Sequence, residues 1–195
     1  MPQFIDYTTP IHITGMLDKL IIGDKIHLLH IHKEIINMHY HFGFSWTGLV
    51  IFLLPMAVNI LYAVFPPTGE GTDALKNGKY PILEAIEQVS RILYLLALCI
   101  LISNKPLNYH SPILYISLAF LTFYHIVWLR YFLGGRQVEL LGKSFLMVSQ
   151  PLAVFPVLYF IFAALWMNNP VAAIIMVVFG VAHNIVTYRN LNTLQ

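Results

Sequence analysis

The sequence predicts an all-α, polytopic integral membrane protein built as a five-helix transmembrane bundle, and three observations carry that prediction. Hydrophobic residues make up 58% of the 195-residue chain and charged residues only 10%, a balance far from that of a water-soluble domain. The mean hydropathy is +0.70, and the apolar residues fall in runs close to the roughly 20 that a membrane-crossing helix needs. Proline, glycine and asparagine separate those runs, as turn-forming residues do. A chain this long has room for about five such helices packed as one bundle.

Composition also excludes several classes of function. The net charge of +2 is too small to suggest a nucleic-acid partner, and the basic residues lie between apolar runs, where they report topology. Cys99 is the only cysteine, so neither a disulfide nor a cysteine metal site forms within one chain. The N-terminus lacks the basic segment, apolar core and small-residue cleavage site of a signal peptide.

Residues 1–37 differ from the remainder, 38–195, which reads as a single transmembrane domain. Between Ile11 and Asn37 the apolar residues fall all round a helical wheel and are interrupted by Asp18, Lys19, Asp24, Lys25, Lys33 and Glu34, so neither helical nor strand periodicity wins. A spanning role would place those charges in hydrocarbon at a few kcal/mol each. The expectation is an irregular or peripheral extension. Either it is native, or translation starts at Met38.

The first spanning helix is expected from about Phe44 to Phe65, with Trp46 and Tyr62 as interfacial aromatics near its ends. Inside it Pro55 removes a backbone donor and frees the carbonyl of Ile51, a break that a bundle tolerates when a neighbour satisfies the freed group. A polar connection follows over 66–80. The second helix runs from Pro81 to Ser103 and opens with Glu84, Glu87 and Arg91 on one stripe. The third covers Ile113 to Phe132, and the fourth Ser144 to Met167, with Pro151 and Pro156 predicting a kink. A tight hairpin at Asn168 and Asn169 leads into the fifth, from Pro170 to Tyr188.

Lys76, Lys79, Arg130, Arg136, Lys143 and Arg189 flank one side of these spans, and Lys105 the other, joined by Lys19, Lys25 and Lys33 if the extension is native and ordered. The bias toward cytoplasmic lysine and arginine then predicts an outside N-terminus and a cytoplasmic C-terminus. From Met38 to about Asn190 the chain resembles a group of small, five-span bacterial membrane proteins, in the runs YHFGFSWTGL, VWLRYF and FGVAHNIVTY. The resemblance implies a bacterial plasma membrane and a five-helix bundle, but no activity and no functional residue.

Antiparallel helices alternate in direction, so polar residues can be compared by depth. Asn59, Glu84, Glu87, Arg91, His125, Arg130, Ser149, Gln150, His183, Asn184 and Thr187 all fall on one side. The opposite half is almost purely apolar. Unpaired polar groups in hydrocarbon cost several kcal/mol unless they meet a partner or water, so this asymmetry predicts a cytoplasm-facing pocket closed by an apolar plug. Glu84, Arg130 and Thr187, near helix ends, are expected to snorkel to the headgroups.

Glu87 and Arg91 are deeper and spaced to pair along one helix turn. They are either a self-neutralised pair or a binding centre, in which Arg91 suits a carboxylate or phosphate. The candidate ligand-binding set is Glu87, Arg91, Asn59, His125, Gln150, His183 and Asn184, with no catalytic residue and no cofactor expected. His125 and His183 form a weaker alternative as haem or metal ligands, against the commoner reading of interhelical hydrogen bonds. His27, His30 and Glu34 would share a face of a continuous helix, at spacing compatible with a metal, but the accompanying histidine clusters of a membrane desaturase are absent. Tyr124, Trp128 and Tyr131 read as packing or interfacial aromatics. The leading expectation is a non-enzymatic protein that binds or moves a small polar or amphiphilic molecule. Its rivals are an enzyme acting on a lipid headgroup or carrying haem, and a structural protein with a polar seam.

Overall fold

The structure, a computed structural model, describes residues 40–68 and 80–192. Six helices occupy 73% of them, in the order β1 (Tyr40–Phe42), α1 (Trp46–Val64), α2 (Pro81–Ile100), β2 (Leu101–Ser103), α3 (Pro112–Leu133), α4 (Glu139–Gly142), α5 (Pro151–Trp166) and α6 (Pro170–Asn192). Three of them, α1, α3 and α6, are long and apolar enough to cross a membrane. The extension over 1–37, and with it His27, His30 and Glu34, lies outside the described residues.

The helix starts follow from local chemistry. Ser45 accepts the backbone N–H of Gly48 at 3.0 Å and Ser111 that of Ile113 at 3.3 Å, the usual work of a capping hydroxyl. Pro81, Pro112 and Pro151 occupy first turns, where a missing N–H leaves nothing unpaired. Between α5 and α6 Asn168 takes a left-handed backbone, φ 54°, which makes the tight hairpin possible.

Two expected helices are shorter than the pattern predicts. The second ends at Ile100, and Leu101–Ser103 instead form a two-stranded sheet with Tyr40–Phe42. Beside it the N–H of Gly43 donates to the Ile100 carbonyl at 3.0 Å and that of Ser45 to Cys99 at 2.8 Å. The incoming chain therefore takes carbonyls that an extended α2 would have used itself. The fourth begins at Pro151 rather than Ser144. Leu146 and Met147 have φ of 48° and 63°, and Phe145 and Val148 close a backbone turn on each other, so no helix passes through them. Pro151 therefore opens a helix, and Pro156 is the proline inside it.

Contacts between the ends show that the five long helices alternate in direction. At one end Asn169 at the head of α6 reaches the last turn of α2, and Trp166 near the end of α5 donates to the Asn108 carbonyl before α3 at 2.8 Å. At the other end the Thr68 N–H after α1 donates to Arg136 after α3 at 3.0 Å. There too the Arg189 guanidinium of α6 lies over the ring of Tyr80, which precedes α2, at 4.6 Å.

The centre of the bundle is α5, with nine of its 16 residues buried. It meets α6 closely at Gly180, where a β-carbon would come within 2.5 Å of Val157. By contrast α1 is peripheral and buries only Gly48, Ile51, Pro55 and Val58, a single stripe at helical spacing. The carbonyl freed by Pro55 has a partner across the bundle, since the Tyr159 hydroxyl of α5 donates to Ile51 at 2.9 Å. Tyr159→Phe is expected to cost about 1 kcal/mol, because it strands that carbonyl. A reversible unfolding titration in mixed micelles measures this, and an unchanged midpoint would show that the bond contributes nothing.

Arg130 has partners within the chain. It donates to the carbonyls of Lys143 at 2.7 Å, Ser144 at 3.0 Å and Leu140 at 3.3 Å. It thereby ties the end of α3 to the segment after α4. The half expected as a plain apolar plug is also more polar than its pattern suggests. There the Tyr94 hydroxyl donates to Phe160 at 3.1 Å and Ser117 to the Tyr159 carbonyl at 3.2 Å. That half also holds a cavity of about 390 Å³, lined by residues that include Trp46, Tyr109, Ser117, Tyr159 and Trp166. The narrow contact stripe of α1 leaves this volume unfilled.

Candidate functional site

The polar ends of the helices meet around Glu87, which sits on the inner face of α2 with its side chain 10% exposed. One carboxylate oxygen accepts from the Arg91 guanidinium at 2.6 Å and pairs with Nδ1 of His183 on α6 at 3.2 Å. A carboxylate is an acceptor, so Nδ1 of His183 carries the hydrogen of that bond. The spacing of Glu87 and Arg91 produces the first contact within one helix. The second depends on α6 running beside α2, which no local pattern encodes.

Phe179, one turn before His183, completes the group. Its ring stacks on the imidazole with centroids 5.1 Å apart and planes 17° from parallel, and the Arg91 guanidinium lies 5.5 Å from its centroid. Arg91 is therefore held by a carboxylate on one side and an aromatic face on another, which orients its planar fork. With Arg91 paired to Glu87, the group carries two opposite charges that offset each other inside an apolar bundle.

Asn59 approaches from α1. Its side-chain oxygen accepts from the Tyr124 hydroxyl of α3 at 2.8 Å, and its amide nitrogen lies 3.7 Å from the thioether of Met56. Asn59, Arg91, His183 and Thr187 line one cavity of about 390 Å³, with walls that include Tyr62, Tyr124, Trp128, Val157, Phe160 and Phe179. With Leu141 of α4 also in its wall, the cavity draws on all six described helices. Glu87 is not among its lining residues. Arg91 and His183 stand between the carboxylate and the space.

The other candidates lie elsewhere. His125 turns back on its own helix, with Nδ1 2.7 Å from the Leu121 carbonyl, and is not among the residues lining the cavity. It therefore does not share a ligand space with His183. Asn184 donates to the Gly180 carbonyl one turn earlier at 2.7 Å. Gln150 is buried at the start of α5, where its backbone carbonyl accepts the first helical N–H groups. Glu84 accepts from the Tyr80 N–H at 3.4 Å, holding the head of α2. Among the described residues no three histidine, cysteine or carboxylate side chains cluster closely enough to hold a metal ion.

Three residues of the site were not read from the sequence as such. Tyr124 and Trp128 line the cavity, as does Tyr62, which packs on Trp128 at 5.3 Å and Tyr131 at 6.0 Å. Their one visible signal is spacing, since Tyr124, Trp128 and Tyr131 recur every three or four residues and so share one face of α3. The chain matches no known protein family, and no curated protein or solved structure is similar to it, so the likeness to small five-span bacterial proteins finds no support there and the site stands on its own geometry.

Proposed function

We propose that this protein spans a bacterial plasma membrane five times, with its C-terminus in the cytoplasm. In this reading it binds or moves a small polar or amphiphilic molecule through the cavity around Arg91. Two spans beyond the three long apolar helices are α2 and α5. In α2 the charge of Glu87 is offset by Arg91, which lowers the cost of placing either in the membrane. In α5 all 16 residues are uncharged and nine of them are buried, so the helix meets the bilayer with little polar cost. The alternation of helix ends supports the same count. The bacterial setting comes from the sequence resemblance alone, and the side assignment from the basic residues Arg136, Lys143 and Arg189.

The single observation that carries the binding reading is the convergence of Asn59, Arg91, His183 and Thr187 on one space. Side chains that only held helices together would satisfy one another with no volume between them. A hydrated space is tested by thiol labelling, because Cys99 is buried and gives little background. Met56 lines the cavity, while Leu53, less than one turn away, is 48% exposed on the outer surface of α1. In inside-out membrane vesicles a membrane-impermeant maleimide is expected to label Met56→Cys and to leave Leu53→Cys unmodified. Labelling of neither variant would mean a dry seam and would sink the proposal.

A further inference from the structure

Resting on that reading, we infer that the ligand of this cavity is an organic oxyanion, a carboxylate or phosphate monoester carried on an apolar body. The argument is an imbalance of hydrogen-bonding groups. Arginine has five N–H donors, and among the described residues the Arg91 guanidinium has one hydrogen bond, to Glu87. Among the described residues the Asn59 amide nitrogen has one partner, the Met56 thioether at 3.7 Å. The Asn59 oxygen is already taken by Tyr124. The guanidinium fork and the Asn59 amide therefore have N–H groups to spare at the space. A ligand rich in oxygen acceptors meets those N–H groups in place of water.

Charge placement selects an anion over a neutral acceptor. The Arg91 side chain is 43% exposed against 10% for Glu87, and Arg91 lines the cavity while Glu87 does not. An incoming group thus meets the guanidinium first. A cation would meet that same guanidinium and find the carboxylate occupied twice over. A planar fork with free N–H groups is the arrangement that holds a carboxylate or phosphate by two bonds at once. Around it Tyr62, Val157, Phe160 and Phe179 offer an apolar and aromatic bed for the remainder of the molecule, the common design of a small-molecule site.

The test is calorimetry on the full chain in phosphatidylcholine nanodiscs, with empty discs as the blank. The probes are naphthalene-2-carboxylate, naphthalene-2-methanol and naphthalene-2-methylammonium, which share a body and differ in charge. The carboxylate is expected to bind at least about tenfold more tightly than either of the others. Arg91→Gln is expected to erase that preference and Arg91→Lys to keep part of it. Discs containing phosphatidic acid separate the two sources of oxyanion: weaker naphthoate binding there points to a lipid headgroup, and unchanged binding to a free acid. Equal binding of all three probes to the wild-type chain would overturn the anion inference and leave the cavity as a binding site. No binding of any probe would overturn both. Since the ligand series is read on the wild-type chain, a variant that fails to fold does not decide the result.

Discussion

Replacing Asn169 with alanine is expected to destabilise the protein by about 3 kcal/mol, from one lost cap and two lost side-chain hydrogen bonds of about 1 kcal/mol each. Asn169 is 1% exposed and works in both directions. Its oxygen accepts the Ala172 N–H at 3.0 Å and so caps α6. Its amide nitrogen donates to the carbonyls of Ala97 at 2.8 Å and Leu101 at 3.0 Å, at the end of α2. Asn169→Asp separates the two roles. Aspartate caps a helix as well as asparagine, but it would turn an oxygen toward two carbonyls, so it is expected to be no more stable than the alanine variant. Unfolding midpoints of the three proteins in mixed micelles check this, and wild-type stability in Asn169→Asp would show that only the cap matters.

Gly48→Val is expected to cost at least about 3 kcal/mol, the upper range for overpacking, because the neighbour it strikes is backbone. A β-carbon at Gly48 would collide with the carbonyl oxygen of Leu98 and lie 2.9 Å from its carbonyl carbon. Side chains can rotate away from an intruder, but the axis of α2 cannot. The only relief is separation of α1 from α2, and the single buried stripe of α1 has little else to hold it. Gly135 is the control. It has open space around it and a φ of 80°, so Gly135→Ala tests backbone strain alone and is expected to cost about 1 kcal/mol. Thermal transitions of the two variants give the comparison, and equal small losses would mean that α1 can shift without penalty.

The parts of this fold legible in the sequence are those set by neighbours along the chain. The apolar runs located the five long helices to within a few residues except at two ends. Pro55 announced a free carbonyl at Ile51, although not that Tyr159 would meet it. The missed ends are instructive. Leu101–Ser103 are apolar and continue the pattern of α2, but the residues before α1 pair with them, and that competition comes from 60 positions away. At 145–150 the apolar pattern also continues, yet Arg130 draws carbonyls of the segment from Leu140 to Ser144 onto α3, and the chain turns instead of coiling.

At the site, the i, i+4 spacing of Glu87 and Arg91 and the common depth of Asn59 and His183 were readable, because both follow from helix geometry and alternation. What depth cannot supply is rotation. His125 has a depth like that of its neighbours but turns to the Leu121 carbonyl, whereas Tyr124, one residue before it, reaches Asn59. Asn169 was read as a turn residue, since its partners, Leu101 in β2 and Ala97 in α2, are 68 and 72 positions distant. Residues that act through several helices at once carry no local mark.

The hydrogen bond from Tyr159 to Ile51 spans 108 positions, and it sets an order of events during synthesis. A ribosome adding about 5 to 20 residues per second makes the two groups roughly 5 to 20 seconds apart. Throughout that interval the carbonyl exposed by Pro55 has no tyrosine to receive. Among the described helices the first to be made is thus one of the last to be completed, and it waits in the membrane for the fourth long one to arrive.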